Sequence, residues 1–268
     1  MRELPAPVLD AAARISGVVV VFFLIVPLLV IIPISFNDGS FFTLPSGGLS
    51  LRWYRSVAMD PVWRAAAQNS VVVATLSTAI AVTLGTAAGC GIAFLRARIA
   101  ALAYAFLLVP MVTPVIVVAL AVYLAFNAWG LTETRAGLIL AHAALGLPFV
   151  VVTTSAAMRK YDHRLFFAAL SLGASYPQAF RHAVLPSLAP ATLAGGIYAF
   201  QASFDESIIV LFLARVGQET LPQRIFAGLT DNITPAVAVV AVATTVASIV
   251  LLAVFIMAER LQSRIARK

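Results

Sequence analysis

The sequence predicts an all-α polytopic membrane protein with six transmembrane helices. Three observations carry that prediction. Of 268 residues, 62% are hydrophobic and only 11% charged, against about 25% charge in a soluble domain. The mean hydropathy is +0.99. The apolar residues are gathered into six runs, roughly 16–36, 69–95, 101–127, 136–157, 188–213 and 235–258. A helix rises about 1.5 Å per residue, so about 20 apolar residues cross a hydrocarbon core about 30 Å thick. Barrel strands alternate over about ten residues, so continuous runs of this length exclude them. The first run is too long for the apolar part of a signal peptide and is expected to be a retained span.

Prolines fall inside several spans: Pro27, Pro33, Pro110, Pro114 and Pro148. Each removes a backbone donor and is expected to kink its helix. Small residues cluster in the second span (Gly85, Ala87, Ala88, Gly89, Gly91), where they permit close helix–helix approach. The first external loop, roughly 37–68, predicts a turn followed by a short amphipathic helix near 61–67. Trp53 and Trp63 suit a lipid–water interface there. With no tandem repeat and no soluble module, residues 1–268 read as one transmembrane domain.

The basic residues predict orientation. Arg2, Arg14, Arg96, Arg98, Arg159, Lys160, Arg164, Arg181, Arg260, Arg264, Arg267 and Lys268 make 12 of the 18 Lys and Arg residues. The other 6 are Arg52, Arg55, Arg64, Arg135, Arg215 and Arg224. By the positive-inside rule the first group is cytoplasmic, with both termini inside. The net charge of +7 forms no continuous stripe, which argues against nucleic acid. Cys90, the single cysteine, reads as a buried packing residue, and no Cys/His cluster suggests a metal.

Residues 159–187 are too polar to span and too apolar to be disordered. Leu165, Ala168, Ala169 and Leu172 recur at helical spacing, so Arg164–Leu172 is expected to be a short helix ended by Gly173. Ser175 is placed to cap a second helix over Pro177–Val184, with Pro186 stopping it. Two short helices joined by a glycine turn suit a docking element on the cytoplasmic side, between the fourth and fifth spans.

Asp205 and Glu206 are the acids inside a predicted span. Ionised groups there cost about 2.5–3.5 kcal/mol even on lenient insertion scales, so they face a cavity or find a partner. Asp205 lies 17 residues beyond Leu188, or about 25 Å at helical rise, near the external mouth. Asp205, Gln201, Tyr198 and Glu206 are the candidate pathway residues; on a continuous helix Asp205 shares a face with Gln201 and Tyr198, which favours it over Glu206 as the acid lining the pathway. Glu206 then falls on a small-residue face with Ala199, Ala202 and Ser203, suited to bonding a neighbouring helix or Arg215. A second reading makes both acids structural, as inter-subunit ion pairs or gate latches. His142 is expected to be packed and hydrogen-bonded, while His163 and His182 belong to the loop. There is no Walker sequence, no Ser/His/Asp set and no HExxH, so no catalytic residue is assigned and the chain carries no ATP-binding motif of its own.

The loop resembles that of permease subunits of ATP-binding-cassette importers, which carry Glu-Ala-Ala, three residues, Gly, nine residues, then Ile-x-Leu-Pro. Here Phe167-Ala168-Ala169, three residues, Gly173, nine residues and Ala183-Val184-Leu185-Pro186 keep the spacing, with Phe167 in place of Glu and Ala183 in place of Ile. Pro33–Asn37, Pro110–Ala119, Leu147–Thr153, Ser203-Phe204-Asp205-Glu206 and Thr220-Leu221-Pro222 are similar to C-type permeases of spermidine/putrescine importers. The resemblance implies an inner-membrane importer subunit, not an enzyme. Phe167, Ala168, Ala169, Gly173, Leu185 and Pro186 would couple it to an ATPase, and the missing carboxylate removes one charged contact, which a hydrophobic anchor can replace. The implied partners are a second homologous permease, two ATPase subunits carrying ATP and Mg, and an external substrate-binding protein. Polyamines are the implied solute, with another amine-bearing solute (an amino acid derivative, an opine or an aminophosphonate) as the alternative. A stand-alone proton-coupled carrier predicts an inverted repeat with matching interrupted helices, and an intramembrane protease predicts paired catalytic groups. Neither pattern is visible.

Overall fold

The computed structural model describes residues 6–45, 47–231 and 233–265. Arg2, Arg267 and Lys268, counted above on the inner side, lie outside them. Helices run α1 Ala6–Ser35, α2 Arg52–Met59, α3 Pro61–Ile92, α4 Ala97–Val112, α5 Val115–Ala128, α6 Arg135–Lys160, α7 His163–Ser171 and α8 Tyr176–Ala179. A π-turn, Phe180–Val184, leads into α9 Leu185–Phe204, followed by α10 Ile208–Leu213, α11 Leu221–Asp231 and α12 Pro235–Ile265. A single isolated β-bridge, Asn37 to Leu49, is the sheet-like pairing among the described residues.

Among the described residues, four helices are long and apolar enough to cross a membrane: Arg14–Ser35, Pro61–Ile92, Arg135–Lys160 and Tyr176–Phe204. A fifth candidate is the pair α4 and α5, bent by 104°. In α12 the apolar stretch Pro235–Leu251 is shorter. The expected third span is therefore broken rather than kinked. Pro114 forces the break, because a residue before proline is pushed out of the helical region. Thr113 accordingly sits at φ −84°, ψ 136°, and α5 restarts after Pro114. The expected amphipathic helix near 61–67 is also corrected. Those residues form the first turns of α3, and the short amphipathic helix is α2.

Two compact units divide the described chain. The smaller comprises the residues up to Pro61 and Ala227–Ala247. The side chains of α1 from Arg14 through Ile25 are exposed or nearly so, as suits a helix that meets lipid or a partner. Asn37, 4% exposed, organises the following loop. Its side-chain amide donates to the Phe41 and Thr43 carbonyls at 3.0 and 3.1 Å and its oxygen accepts from Gly39 N–H at 3.0 Å. Trp53 Nε1 donates to the Gly39 carbonyl at 2.9 Å and ties α2 to the same turn.

In the larger unit, Val62–Phe226 and Ser248 onward, α6 is the central helix. Three apolar clusters lie at successive levels along it. Leu138 and Ala141 pack with Val73, Ala119, Ile209, Val210 and Leu213. Val150 packs with Ala81 and Ala199. Met158 packs with Cys90, Tyr161, Val184 and Leu188. Close approach of α6 and α9 depends on Gly146, where an added Cβ would meet Ala199 Cβ at 2.9 Å. This is the small-residue packing membrane helices use when lipid removes the hydrophobic drive to associate. α6 itself starts at Thr134, whose Oγ1 accepts from Gly137 N–H at 3.0 Å.

Candidate functional site

The predicted fifth span does not run through its acids. α9 ends at Phe204, Asp205 is its C-cap at φ −88°, ψ −7°, and the chain restarts at Ile208. A helix end leaves backbone groups unpaired, and the two carboxylates lie where those groups are. Glu206 Oε1 accepts from the Ile208 and Ile209 amides at 2.6 and 3.1 Å. Glu206 therefore caps α10 rather than reaching a neighbouring helix or Arg215. The reason is local: a break two residues away presents free amides that favour negative charge. The placement of Glu206 on a small-residue face assumed a continuous helix and fails with it.

Asp205 behaves differently. Its backbone N–H donates to the Gln201 carbonyl at 3.0 Å, its carboxylate takes a hydrogen bond from the Gln201 side-chain amide, and its side chain is exposed. Gln201 Nε2 also lies 3.2 Å from Ser248 Oγ on α12. Tyr198, one turn back, is 54% exposed and stacks on Phe149 with ring centroids 6.3 Å apart. The structure thus brings Asp205 and Gln201 together as predicted, with Tyr198 exposed a turn away. α9 holds 20 residues, about 30 Å of rise, so this cluster sits a full bilayer core away from the loop.

A buried polar chain stands behind the break. Ser203 Oγ lies 2.8 Å from His142 Nδ1 and 3.0 Å from Ser77 Oγ. The three residues are all at most 3% exposed and come from α9, α6 and α3. His142 is packed and hydrogen-bonded, as expected. The part played by Ser77 carried no signal, because one serine in an apolar run has no periodicity. The same holds for Asn69 and Ser70. Asn69 Nδ2 donates to the Gly217 and Glu219 carbonyls at 3.0 and 3.1 Å, and Ser70 Oγ accepts from Leu221 N–H at 2.7 Å. These bonds fasten Thr220-Leu221-Pro222 to α3.

At the other end, α7 starts at Asp162, whose Oδ1 accepts from Arg164 N–H at 3.0 Å. It ends in a Schellman turn. Gly173 N–H donates to Leu170 O at 2.9 Å, and Ala174 N–H to Ala169 O at 3.1 Å. Gly173 has φ +90°, a conformation that disfavours any residue with a Cβ. The spacing from Ala169 to Gly173 is therefore the spacing of one helix termination. Ser175 N–H then donates to Gln178 Oε1 at 2.8 Å, opening α8.

Pro186 does not stop the second helix, contrary to expectation. The π-turn Phe180–Val184 carries α8 into α9, with Leu185 N–H donating to Phe180 O and Pro186 in the first turn of α9. The wider turn accommodates a proline ring that would otherwise clash with the carbonyl four residues earlier. The loop's second helix is thus continuous with the fifth span.

Adjacent residues split the work on α7. Phe166 packs against the cluster of Met158, Tyr161 and Val184, whereas Phe167 is 62% exposed and Leu172 89%. Ala168, Leu185 and Pro186 are also exposed, and Ala169 is half-buried. Tyr161, at the exit from α6, meets the His163 ring edge-on with centroids 5.5 Å apart. Burial, and then the Asp162 carboxylate, push its phenol above the ordinary range.

Comparison with known proteins fits this arrangement. Residues 81–267, which include the loop and the break, match the family described as binding-protein-dependent transport system inner membrane component. The chain is 30% identical over 233 residues to the Haemophilus influenzae spermidine/putrescine transport system permease protein PotC, covering 87% of this chain and 90% of that one. It is also 30% identical over 238 residues to the Escherichia coli K12 putrescine transport system permease protein PotI, covering 85% and 84%. In fold it resembles a chain from the crystal structure of a bacterial ABC transporter that imports the acidic polysaccharide alginate. That match has a TM-score of 0.72 at 14% identity, over 95% of this chain and 98% of that one. A break with two carboxylates, a two-helix loop joined to the same span and a sequence match across both lead to one conclusion: the chain belongs to the inner membrane components of binding-protein-dependent transport systems and is a multi-pass permease subunit of an ABC importer.

Proposed function

We propose that the chain forms half of the solute pathway of an ATP-driven importer of polyamine cations such as spermidine and putrescine. The observation that carries this reading is the exposed Asp205 carboxylate, aligned by Gln201 at the break in the fifth span. A carboxylate at a helix break attracts an ammonium group, and the exposed Tyr198 ring adds a cation–π surface about two turns back along α9. The polyamine permeases named above support the choice of solute. The other half of the pathway comes from a second homologous permease.

Transport is powered by two cytoplasmic ATPase subunits that bind ATP and Mg, and the solute is delivered by an external binding protein. Phe167, Ala168 and Leu172 form the face that docks on the ATPase, and Ala169 and Gly173 set the turn that presents it. Because α8 continues into α9 through the π-turn, a push on the loop moves the helix that carries Asp205. Leu185 and Pro186 lie at that junction. The excess of Lys and Arg on the loop side supports a cytoplasmic position for the loop and both termini.

The test is uptake of labelled putrescine and spermidine by cells lacking their own importer and supplied with this chain, its partner permease, ATPase and binding protein. Uptake that is competed by polyamines and slowed by Asp205→Asn, with the complex still assembled, is the expected result. Uptake kinetics unchanged by Asp205→Asn would remove Asp205 from the pathway. Competition by opines or aminophosphonates but not by polyamines would reassign the solute.

A further inference from the structure

A cavity of about 460 Å³ opens where the loop-side ends of α3 and α6 meet the start of α4. Ile92, Ala100 and Ala101 give it apolar walls, and Tyr104, Ser155 and Arg159 give it a polar edge. The Arg159 guanidinium lies 5.8 Å from the Tyr104 ring centroid. Among the described residues no carboxylate pairs with it. Ser155, also on the cavity wall, is 4% exposed, and its buried hydroxyl has no hydrogen-bond partner. A buried hydroxyl without a partner is costly and calls for an acceptor. α4, a helix of 16 residues, starts beside the cavity without a side-chain cap, so its first amides are also open.

We infer that this cavity binds the head group of an anionic phospholipid of the inner leaflet. The charge fits: Arg96 and Arg98 at the start of α4 and Lys160 at the end of α6 are exposed on the elements that border the cavity, and basic pockets between membrane helices take anionic head groups. The depth fits as well. Arg159 lies 24 residues beyond Arg135 on α6, about 36 Å of rise, just past a core about 30 Å thick. The phosphate pairs with Arg159, and Tyr104 holds the guanidinium in place. The acyl chains run along α4, whose Leu102 and Phe106 are 67% and 75% exposed. The inner-leaflet assignment rests on the orientation proposed above, whereas the site itself does not.

The assembled importer, placed in nanodiscs of mixed phosphatidylcholine and phosphatidylglycerol, tests this by native mass spectrometry of retained lipid. Wild type is expected to retain phosphatidylglycerol. Arg159→Gln is expected to retain about fivefold less, and Arg159→Lys to keep most of it. Equal retention in wild type and Arg159→Gln overturns the site. If Arg159→Gln does not assemble, a photo-crosslinking side chain at Ala101 in the otherwise unchanged chain decides. A phospholipid adduct supports the site, and an adduct to a partner polypeptide overturns it. Orientation is read separately, by labelling Arg98→Cys with a membrane-impermeant thiol reagent in intact cells. Labelling from outside would overturn the inner-leaflet assignment while leaving retention as expected.

Discussion

His142 Nδ1 on α6 and Ser203 Oγ on α9 meet 2.8 Å apart in a fully buried contact, two residues before the α9 break. Ser77 Oγ on α3 completes the chain at 3.0 Å. Three helices are therefore pinned at one level by hydroxyl and imidazole groups that have no water to replace them. In an apolar surrounding, losing one member strands the others.

Ser203→Ala removes the middle of that chain. It leaves His142 Nδ1 without its partner and should cost about 1–3 kcal/mol. Thermal unfolding of the detergent-purified complex should show a lowered midpoint. A midpoint equal to wild type would mean that the chain contributes nothing to stability.

Gly146→Leu places a side chain where even a Cβ meets Ala199 Cβ at 2.9 Å. α6 and α9 must separate, and overpacking of this kind costs about 1–3 kcal/mol. Reduced yield of assembled complex is the expected readout, and full yield with unchanged melting would contradict the close approach.

Much of this fold was legible because lipid leaves the chain few options. Long apolar runs must be helices, and the runs beginning at 16, 69 and 136 emerged as α1, α3 and α6. The loop was legible for a different reason: Gly173 and Ser175 announce helix ends by their own chemistry. Two features were not. Pro186 normally ends a helix, and nothing in the sequence announces the π-turn that admits it. The break at Asp205–Ser207 is not announced by the apolar run either, although Ser207 after two carboxylates suits a helix start as well as a helix interior. Hydrogen bonds between distant residues, such as Asn69 to Gly217, have no trace in any local pattern.

Glu206→Ala should behave as a capping variant rather than a pathway variant. Loss of its bonds to Ile208 and Ile209 is expected to cost about 1 kcal/mol. Melting should drop, while the concentration of polyamine giving half-maximal uptake stays the same. A large rise in that concentration with melting unchanged would assign Glu206 to the pathway instead.

Phe167→Ala should leave the loop folded, because Phe167 is exposed and Phe166 holds α7 to the bundle. Burial of a phenylalanine at a partner's surface contributes about 1.5–3 kcal/mol. Affinity for the purified ATPase should therefore fall by about tenfold to a hundredfold on that scale. Binding indistinguishable from wild type would show that the ATPase docks elsewhere.

The most direct measurement of the central claim is ATP-dependent uptake of labelled putrescine by proteoliposomes containing the complete importer, with wild type compared against Gly173→Val. Valine at φ +90° breaks the loop's turn while leaving the spans alone. The account predicts uptake in wild type that stops without ATP, and a Gly173→Val complex that assembles but barely transports. Equal uptake by both, or uptake that persists without nucleotide, would contradict it.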